Sequence, residues 1–103
     1  MAYNPSVEIF DSTFDKVQKA MEVATKRQAV IAHNVANADT PGFQALKFDE
    51  VLQKAVARTE QPSINLEEEM AALTQNSTRY SSYVKLMSSK LNILKTIASQ
   101  GRK

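Results

Sequence analysis

The sequence predicts an all-α fold: two long antiparallel helices with heptad seams, a helical hairpin or coiled coil, joined by a Pro-Gly turn and a short irregular or helical middle segment. Three observations predict it. Apolar residues recur at alternating steps of three and four over two long stretches, which is the period of a helical stripe and not of a strand. Glycine occurs 2 times and proline 3 times in 103 residues, too few for the closely spaced turns of a sandwich or barrel. A chain of this length holds one small domain, and a single hairpin uses most of it. Residues 1–103 are therefore read as one domain, with an N-terminal helix over about 12–38, a turn and linker over 39–64, and a C-terminal helix over 65–100.

The first seam is Phe14, Val17, Met21, Ala24, Gln28, Ile31, Val35 and Ala38. Gln28 is its one polar member. Ser12, with Asp15 three residues on, has the form of a capping box with Asp in place of Glu or Gln, which puts the expected helix start at Ser12. Lys16, Lys19, Glu22, Lys26 and His33 lie off the seam. The helix is expected to stop at Asn37-Ala38-Asp39-Thr40-Pro41-Gly42-Phe43. Pro41 and Gly42 occupy the two central positions of a type II turn, proline presetting the first dihedral and glycine accepting the positive one. Pro41 also drives Thr40 out of helical geometry, and Asn37 and Asp39 can bond back to nearby backbone.

Residues 44–57 contain Leu46, Phe48, Val51, Leu52, Ala55 and Val56, and Lys47–Ala57 is read as a short helix. Arg58–Ile64, around Pro62, reads as a linker. The second seam is Leu66, Met70, Leu73, Ser77, Tyr80, Val84, Met87, Leu91, Leu94 and Ala98, with Ser77 its one polar member. Asn65 is a good N-cap and Glu68 stands at the capping-box position. Glu67, Glu68 and Glu69 gather at the positive end of the helix dipole, and Lys95, Arg102 and Lys103 lie toward the negative end. Gly101 is the expected stop. Some 33 residues at ~1.5 Å each make a rod of about 50 Å. Ile93 and Ile97 widen the apolar stripe beyond what one partner helix covers. Two such helices either face only each other or also bury their flanks on other chains, because a chain this small makes no thick core.

Chemistry is sparsely represented. Cysteine is absent, which excludes disulfides, Cys-ligated zinc and thiol catalysis. His33 stands alone, without the carboxylates or further histidines of a metal site and without a nucleophile to serve as a base. It reads as a surface or interface residue. Asp39-Thr40-Pro41-Gly42 differs from an aspartic-protease Asp-Thr-Gly by its inserted proline and has no second copy. No phosphate-binding Gly-rich loop is present. Lys+Arg number 13 against Asp+Glu 11, a net charge of +2, too slight to argue for nucleic acid. Arg79, Tyr80 and Tyr83 mix basic and aromatic groups, as nucleic-acid surfaces do, but packing explains them better. Met21, Met70 and Met87 at seam positions read as core fillers. No apolar run approaches the ~18 residues of a membrane span, and the N-terminus lacks the basic stretch and apolar core of a secretory signal. No catalytic residue, cofactor, metal or small-molecule substrate is expected.

Ala32-His33-Asn34-Val35-Ala36-Asn37-Ala38-Asp39-Thr40-Pro41-Gly42-Phe43 resembles the N-terminal signature of the bacterial flagellar rod, hook and hook-associated axial proteins. In that signature an Asn-(Ile/Leu/Val)-Ala-Asn core follows a helix. The Asp-Thr-Pro-Gly ending is similar to the B-type, proximal-rod branch of the family. Asn65-Leu66-Glu67-Glu68-Glu69-Met70 is similar to the acidic start of the family's C-terminal helix. Asn76 to Tyr80, then Leu86, Leu91 and Leu94 to Ile97, resemble its Asn-x-x-x-Tyr and Leu-(Lys/Arg)-x-Ile pattern. The likeness covers residues 12–43 and 65–98. It departs at His33, where Asn or Ser is commoner, and in the short stretch from Gln44 to Ile64.

This resemblance implies a structural subunit of the flagellar basal-body rod that transmits motor rotation for motility. It implies export through the flagellar type III secretion system into a periplasmic rod, and helical assembly through coiled-coil terminal helices. The implied partners are copies of itself, other rod subunits, basal-body adaptors and the MS-ring and export-gate proteins, with no nucleic acid and no direct membrane span. The assembly seam would be Phe14, Val17, Met21, Ile31, Val35, Leu66, Met70, Leu73, Tyr80, Val84, Met87, Leu91 and Leu94. The signature turn would be Asn34, Asn37, Asp39, Thr40, Pro41, Gly42 and Phe43. The alternative from the seams alone is a soluble helical-hairpin adaptor or chaperone that holds a client helix.

Overall fold

The computed structural model describes residues 5–100, with side chains from residue 12 onward. Four elements follow in order: α1 (Pro5–Ala36), β1 (Leu46–Asp49), β2 (Lys54–Ala57) and α2 (Leu66–Gln100). α1 and α2 pack antiparallel, and β1 and β2 form a two-stranded sheet at the end where α1 stops and α2 begins.

α1 starts at Pro5 and not at the expected Ser12. Proline suits a helix's first turn, where its missing N–H has no partner to lose, and residues 6–11 contain no breaker. Ser12 and Asp15 therefore lie within the helix and cap nothing. Asp15 pairs instead with Lys19, one turn on, at 3.2 Å. α2 begins at the expected cap: the Glu68 N–H donates to Asn65 Oδ1 at 3.2 Å, and the Glu69 N–H to the Asn65 carbonyl at 3.0 Å. Gly101, Arg102 and Lys103 lie outside the described residues.

The middle segment corrects the all-α expectation. Residues 47–57 form most of an antiparallel β-hairpin, not a helix, in the register Leu46↔Ala57, Lys47↔Val56, Phe48↔Ala55 and Asp49↔Lys54. Leu46-Lys47-Phe48-Asp49 alternates apolar and polar residues, the period of a half-buried strand. The Asp49 carboxylate accepts the N–H groups of both Val51 and Leu52 at 2.9 Å, a local bonding pattern that turns the chain and competes with a helix. Gln53 completes the reversal with φ at 55°.

The molecule is a rod of 67 × 24 × 16 Å with a radius of gyration of 19.2 Å, against the ~13 Å of a compact chain of ~100 residues. Among the described residues only Val17, Ala24 and Ala45 are buried apolar side chains. As many polar ones are buried: Asn34, Glu69 and Asn76. So thin a core leaves specificity to polar contacts.

Candidate assembly surface and its polar anchors

α1 ends in a network built on Asn37. Its N–H donates to the His33 carbonyl at 3.2 Å, and its side-chain amide donates to the same carbonyl at 2.9 Å. The Thr40 hydroxyl donates to Asn37 Oδ1 at 3.1 Å. The Phe43 N–H donates to the Thr40 carbonyl at 3.2 Å across Pro41 and Gly42, and Gly42 has φ at +74°. Asp39, Thr40, Pro41 and Gly42 are exposed, whereas Phe43 is half-buried. The Phe43 ring meets the His33 ring edge-on, centroids 5.3 Å apart, so the one histidine packs against the turn.

Asn34 has the most deeply buried side chain of the turn, 1% exposed. Its amide donates to the Leu46 carbonyl at 2.8 Å, and its Oδ1 accepts the Leu46 N–H at 2.9 Å. One carboxamide thus pairs with a peptide as a neighbouring strand would, and ties β1 to the end of α1. Ala45, fully buried, continues the junction: its N–H donates to the Pro62 carbonyl at 3.1 Å, and its carbonyl accepts the Arg58 N–H at 2.8 Å. Arg58 then ties this corner to α2 through an ion pair with Glu69 at 2.6 Å, their side chains 17% and 6% exposed. On the other side of the hairpin, Arg27 of α1 pairs with Glu50 and lies over the Phe48 ring at 5.8 Å.

The two helices meet through a second polar cluster. The Asn76 amide donates to the Ala24 carbonyl and to Gln28 Oε1, both at 2.8 Å. Gln28 Nε2 lies 3.2 Å from Ser77 Oγ. The two polar members of the two seams therefore touch each other. Along α1, Val17 and Ala24 are buried and Phe14, Met21, Ile31 and Val35 half-buried.

On α2 the residues divide by row. Leu73, Met87 and Leu94 are half-buried, as are Tyr83 and Lys90, with Glu69 and Asn76 buried. Leu66, Met70, Tyr80, Val84 and Leu91 are 49%, 46%, 38%, 41% and 47% exposed. The row turned inward is thus Glu69, Asn76, Tyr83 and Lys90. The row one residue on, Met70, Ser77, Val84 and Leu91, faces outward. Leu86, Ile93 and Ile97 are also exposed, and at about 100° per residue they form a second apolar flank on the far side of the α1 contact.

Sequence reasoning missed Arg58, Glu69, Ala45 and Asn76 as structural anchors. Glu69 was concealed in a run of three glutamates that the helix dipole alone explains. Asn76 sits beside the seam and not in it, and Arg58 lies in a segment read as linker. The Glu60 carboxyl is held below the usual glutamate range, first by its backbone hydrogen bond and then by Lys47, 3.2 Å away. Among the described residues no three His, Cys, Asp or Glu side chains gather as a metal site, and no helix is long and apolar enough to cross a membrane.

Residues 17–44, which include the Asn34–Phe43 turn, match the family model described as flagella basal body rod protein. The chain is similar to the flagellar basal body rod protein FlgB of Bacillus subtilis (strain 168), 26% identical over 93% of this chain and 100% of that one. It is similar to FlgB of Aeromonas hydrophila, 37% identical over 64% of this chain and 57% of that one. It is also similar to FlgB of Escherichia coli (strain K12), 38% identical over 61% of this chain and 44% of that one. The chain thus spans about half the length of the latter two. The alignment with the Bacillus protein runs over 129 positions, more than the 103 residues of this chain, so that relative carries inserted residues.

Proposed function

We propose that this chain, which belongs to the flagellar basal-body rod protein family, is a structural subunit of the bacterial flagellar rod whose outward apolar rows on α2 are its assembly surface. The observation that carries the mechanism is the row Leu66, Met70, Val84 and Leu91, each more than two-fifths exposed, on a helix whose inward face already packs Leu73, Met87 and Leu94 on α1 beside Glu69 and Asn76. Apolar side chains aligned along one exposed side of a helix mark an interface. The seam residues of α1 hold the hairpin together, and those of α2 divide between α1 and neighbouring subunits. Contacts between different patches on successive copies do not close on themselves and generate a helical polymer. Such a rod transmits rotation by the stiffness of its packed helices.

The subunit reaches the periplasmic rod by the flagellar type III export route. Its neighbours there are copies of itself, other rod subunits, and adaptor, MS-ring and export-gate proteins at the base. The family match disfavours the client-binding adaptor. Substitution separates burial from charge. Leu91→Asp abolishes rod assembly, because an unpaired carboxylate in an apolar contact costs several kcal/mol or takes up a proton. Asn92→Asp, exposed and about 100° around the helix from both Leu91 and Ile93, leaves assembly intact. Rods are scored in cells carrying each variant, with export of the subunit measured separately. Intact rods with Leu91→Asp refute the assembly surface.

A further inference from the structure

The charges of the chain are segregated along the rod. Residues 27–69, the end that holds the hairpin and the start of α2, carry seven acidic side chains and four basic ones. The other described residues, 5–26 and 70–100, carry four acidic and seven basic. α2 has no carboxylate after Glu69, and its later charges are Arg79, Lys85, Lys90 and Lys95. A rod 67 Å long is thus net negative at one end and net positive, by the same amount, over the rest of its described length.

The four basic residues of the acidic end are all answered there. Arg27 pairs with Glu50, Lys47 with Glu60 and Arg58 with Glu69, and Lys54 stands across the hairpin from Asp49. That leaves Asp39, Glu67 and Glu68, the last taking only the Gln61 amide at 3.0 Å. From Glu67, steps of three and four along α2 run outward through Met70, Val84 and Leu91 to Lys95, and every residue on that path is exposed. Glu67 and Lys95 are the only charges on it and stand 28 residues apart, which is four heptads or about 42 Å. Neither meets an opposite charge among the described residues.

Two such rows meet in one of three ways. Parallel and in register, they set Glu67 against Glu67 and Lys95 against Lys95. Antiparallel, they match both charges but close at two copies. Parallel and offset by four heptads, they set Glu67 of one copy against Lys95 of another and leave each copy a free charge for a further neighbour, an open contact that repeats. We propose that the outward row of α2 takes a second copy of this chain in that offset, the acidic end of one copy lying on the basic end of the next. A shift of about 42 Å leaves about 25 Å of each 67 Å rod beside its neighbour, with Met70 of one copy next to Ala98 of the other. Surface charges are screened beyond about 8 Å at physiological salt, so the pair acts at contact, where it selects orientation and register more than it adds affinity. The proposal rests on the reading of the chain as a rod subunit and names one neighbour of its assembly surface.

Charge reversal tests the pairing in cells that depend on the variant chain for their rods. Glu67→Lys and Lys95→Glu each lower the number of rods about fivefold, the equivalent of about 1 kcal/mol for an exposed pair turned repulsive. The double variant recovers to within about twofold of the unaltered chain. Glu67→Lys also loses its place at the positive end of the α2 dipole, which the double variant does not restore, so the recovery is the decisive readout. Single reversals without effect, or a double no better than the singles, overturn the pairing. Cross-linking then reads the offset. The chain has no cysteine, and Ala71→Cys/Ser99→Cys sets two exposed thiols the same four heptads apart. Rods of this strain, treated with a short bis-maleimide, give a ladder at least about tenfold stronger than Ala71→Cys/Glu22→Cys rods, because neighbouring thiols face each other at an effective concentration on the order of millimolar. A Met70→Cys/Ala98→Cys pair repeats the test should either first substitution prevent assembly. Product that stops at dimers shows antiparallel pairing and overturns the offset, as does product no stronger than the control in motile cells. The rod reading is tested by itself, through complementation of rod-null cells with the unaltered chain.

Discussion

Asn34→Ala removes both hydrogen bonds that tie β1 to α1. The Leu46 carbonyl loses its donor at 2.8 Å and the Leu46 N–H its acceptor at 2.9 Å. These groups have no substitute on β2, because they point toward Asn34. Each polar group left unpartnered in a partly buried site costs about 1–2 kcal/mol, so the pair costs about 2–4 kcal/mol. A domain of this kind holds only about 5–15 kcal/mol in all, so the hairpin detaches first and the helices follow. Asn34→Asp fares worse: it keeps the acceptor but sets a carboxylate against the Leu46 carbonyl at a side chain 1% exposed. The assay is hydrogen exchange by mass spectrometry on isolated rods, read on the peptide from Gln44 to Glu50. A loss of 2 kcal/mol lowers protection there by about thirtyfold, since each 1.4 kcal/mol is tenfold. The α2 peptide around Ser89 serves as the internal reference. Unchanged protection of Leu46 in Asn34→Ala rods refutes the view that this carboxamide anchors the hairpin.

The remaining predictions concern the turn, the isolated chain and Glu60. Gly42→Val impairs motility: a non-glycine residue at φ +74° carries a strain of about 1–2 kcal/mol. A Cβ at this position meets nothing within 4 Å, so the effect comes from backbone strain, and Gly42→Asn recovers most function. The isolated chain melts without a sharp transition in circular dichroism, because the three buried apolar side chains among the described residues do not offset ordering costs of about 1–2 kcal/mol per residue; a sharp, concentration-independent monomer melt contradicts this. Glu60 titrates below the usual glutamate range by NMR, and Lys47→Ala raises its midpoint only partway because the backbone hydrogen bond remains. A carboxyl depressed on folding contributes its stability above the unfolded pKa and loses it as pH falls through the folded value, so this small contribution disappears on the acid side.

The helices were legible because their signals are long. Two stretches of three-and-four spacing outweigh any single residue, and the Asn65 cap stands where the chain places it. The start of α1 was misread because a capping pattern at Ser12 carries weight only when the helix has not already begun, and the pair says nothing about residues 6–11. The hairpin was misread because Leu46, Phe48, Val51, Leu52, Ala55 and Val56 satisfy steps of three and four as well as a pair of four-residue strands. What decides between them is nonlocal: Asn34, on another element, bonds to the edge of β1. The Arg58–Glu69 pair was illegible for the same reason. It joins a supposed linker to a supposed dipole-capping glutamate, and neither residue advertises the other.

The facing of α2 also explains why its seam and its buried side differ. A helix with apolar residues at Leu66, Met70, Val84 and Leu91 has a second row that a rotation of about one residue, 100°, would turn onto α1 in place of Leu73, Met87 and Leu94. It is prevented by contacts that an apolar seam alone would not supply. Asn76 is bonded to the Ala24 backbone and to Gln28, Gln28 meets Ser77, and Glu69 is paired with Arg58. Turning α2 would strip Asn76 of its bonds to Ala24 and Gln28 and carry Glu69 away from Arg58, and a partly buried guanidinium, 17% exposed, left without its partner is costlier than exposed leucine. The same contacts fix the axial register, which a heptad seam alone leaves free to slip. Lys90, which lies off the sequence seam, is half-buried for this reason, so its charge reversal would disturb the inward face and would not serve as a neutral control. The polar anchors thus choose which apolar row of α2 packs on α1: Leu73, Met87 and Leu94 are half-buried there, and Leu66, Met70, Val84 and Leu91 stay outward. In the proposed rod, that outward row is set before any neighbour arrives.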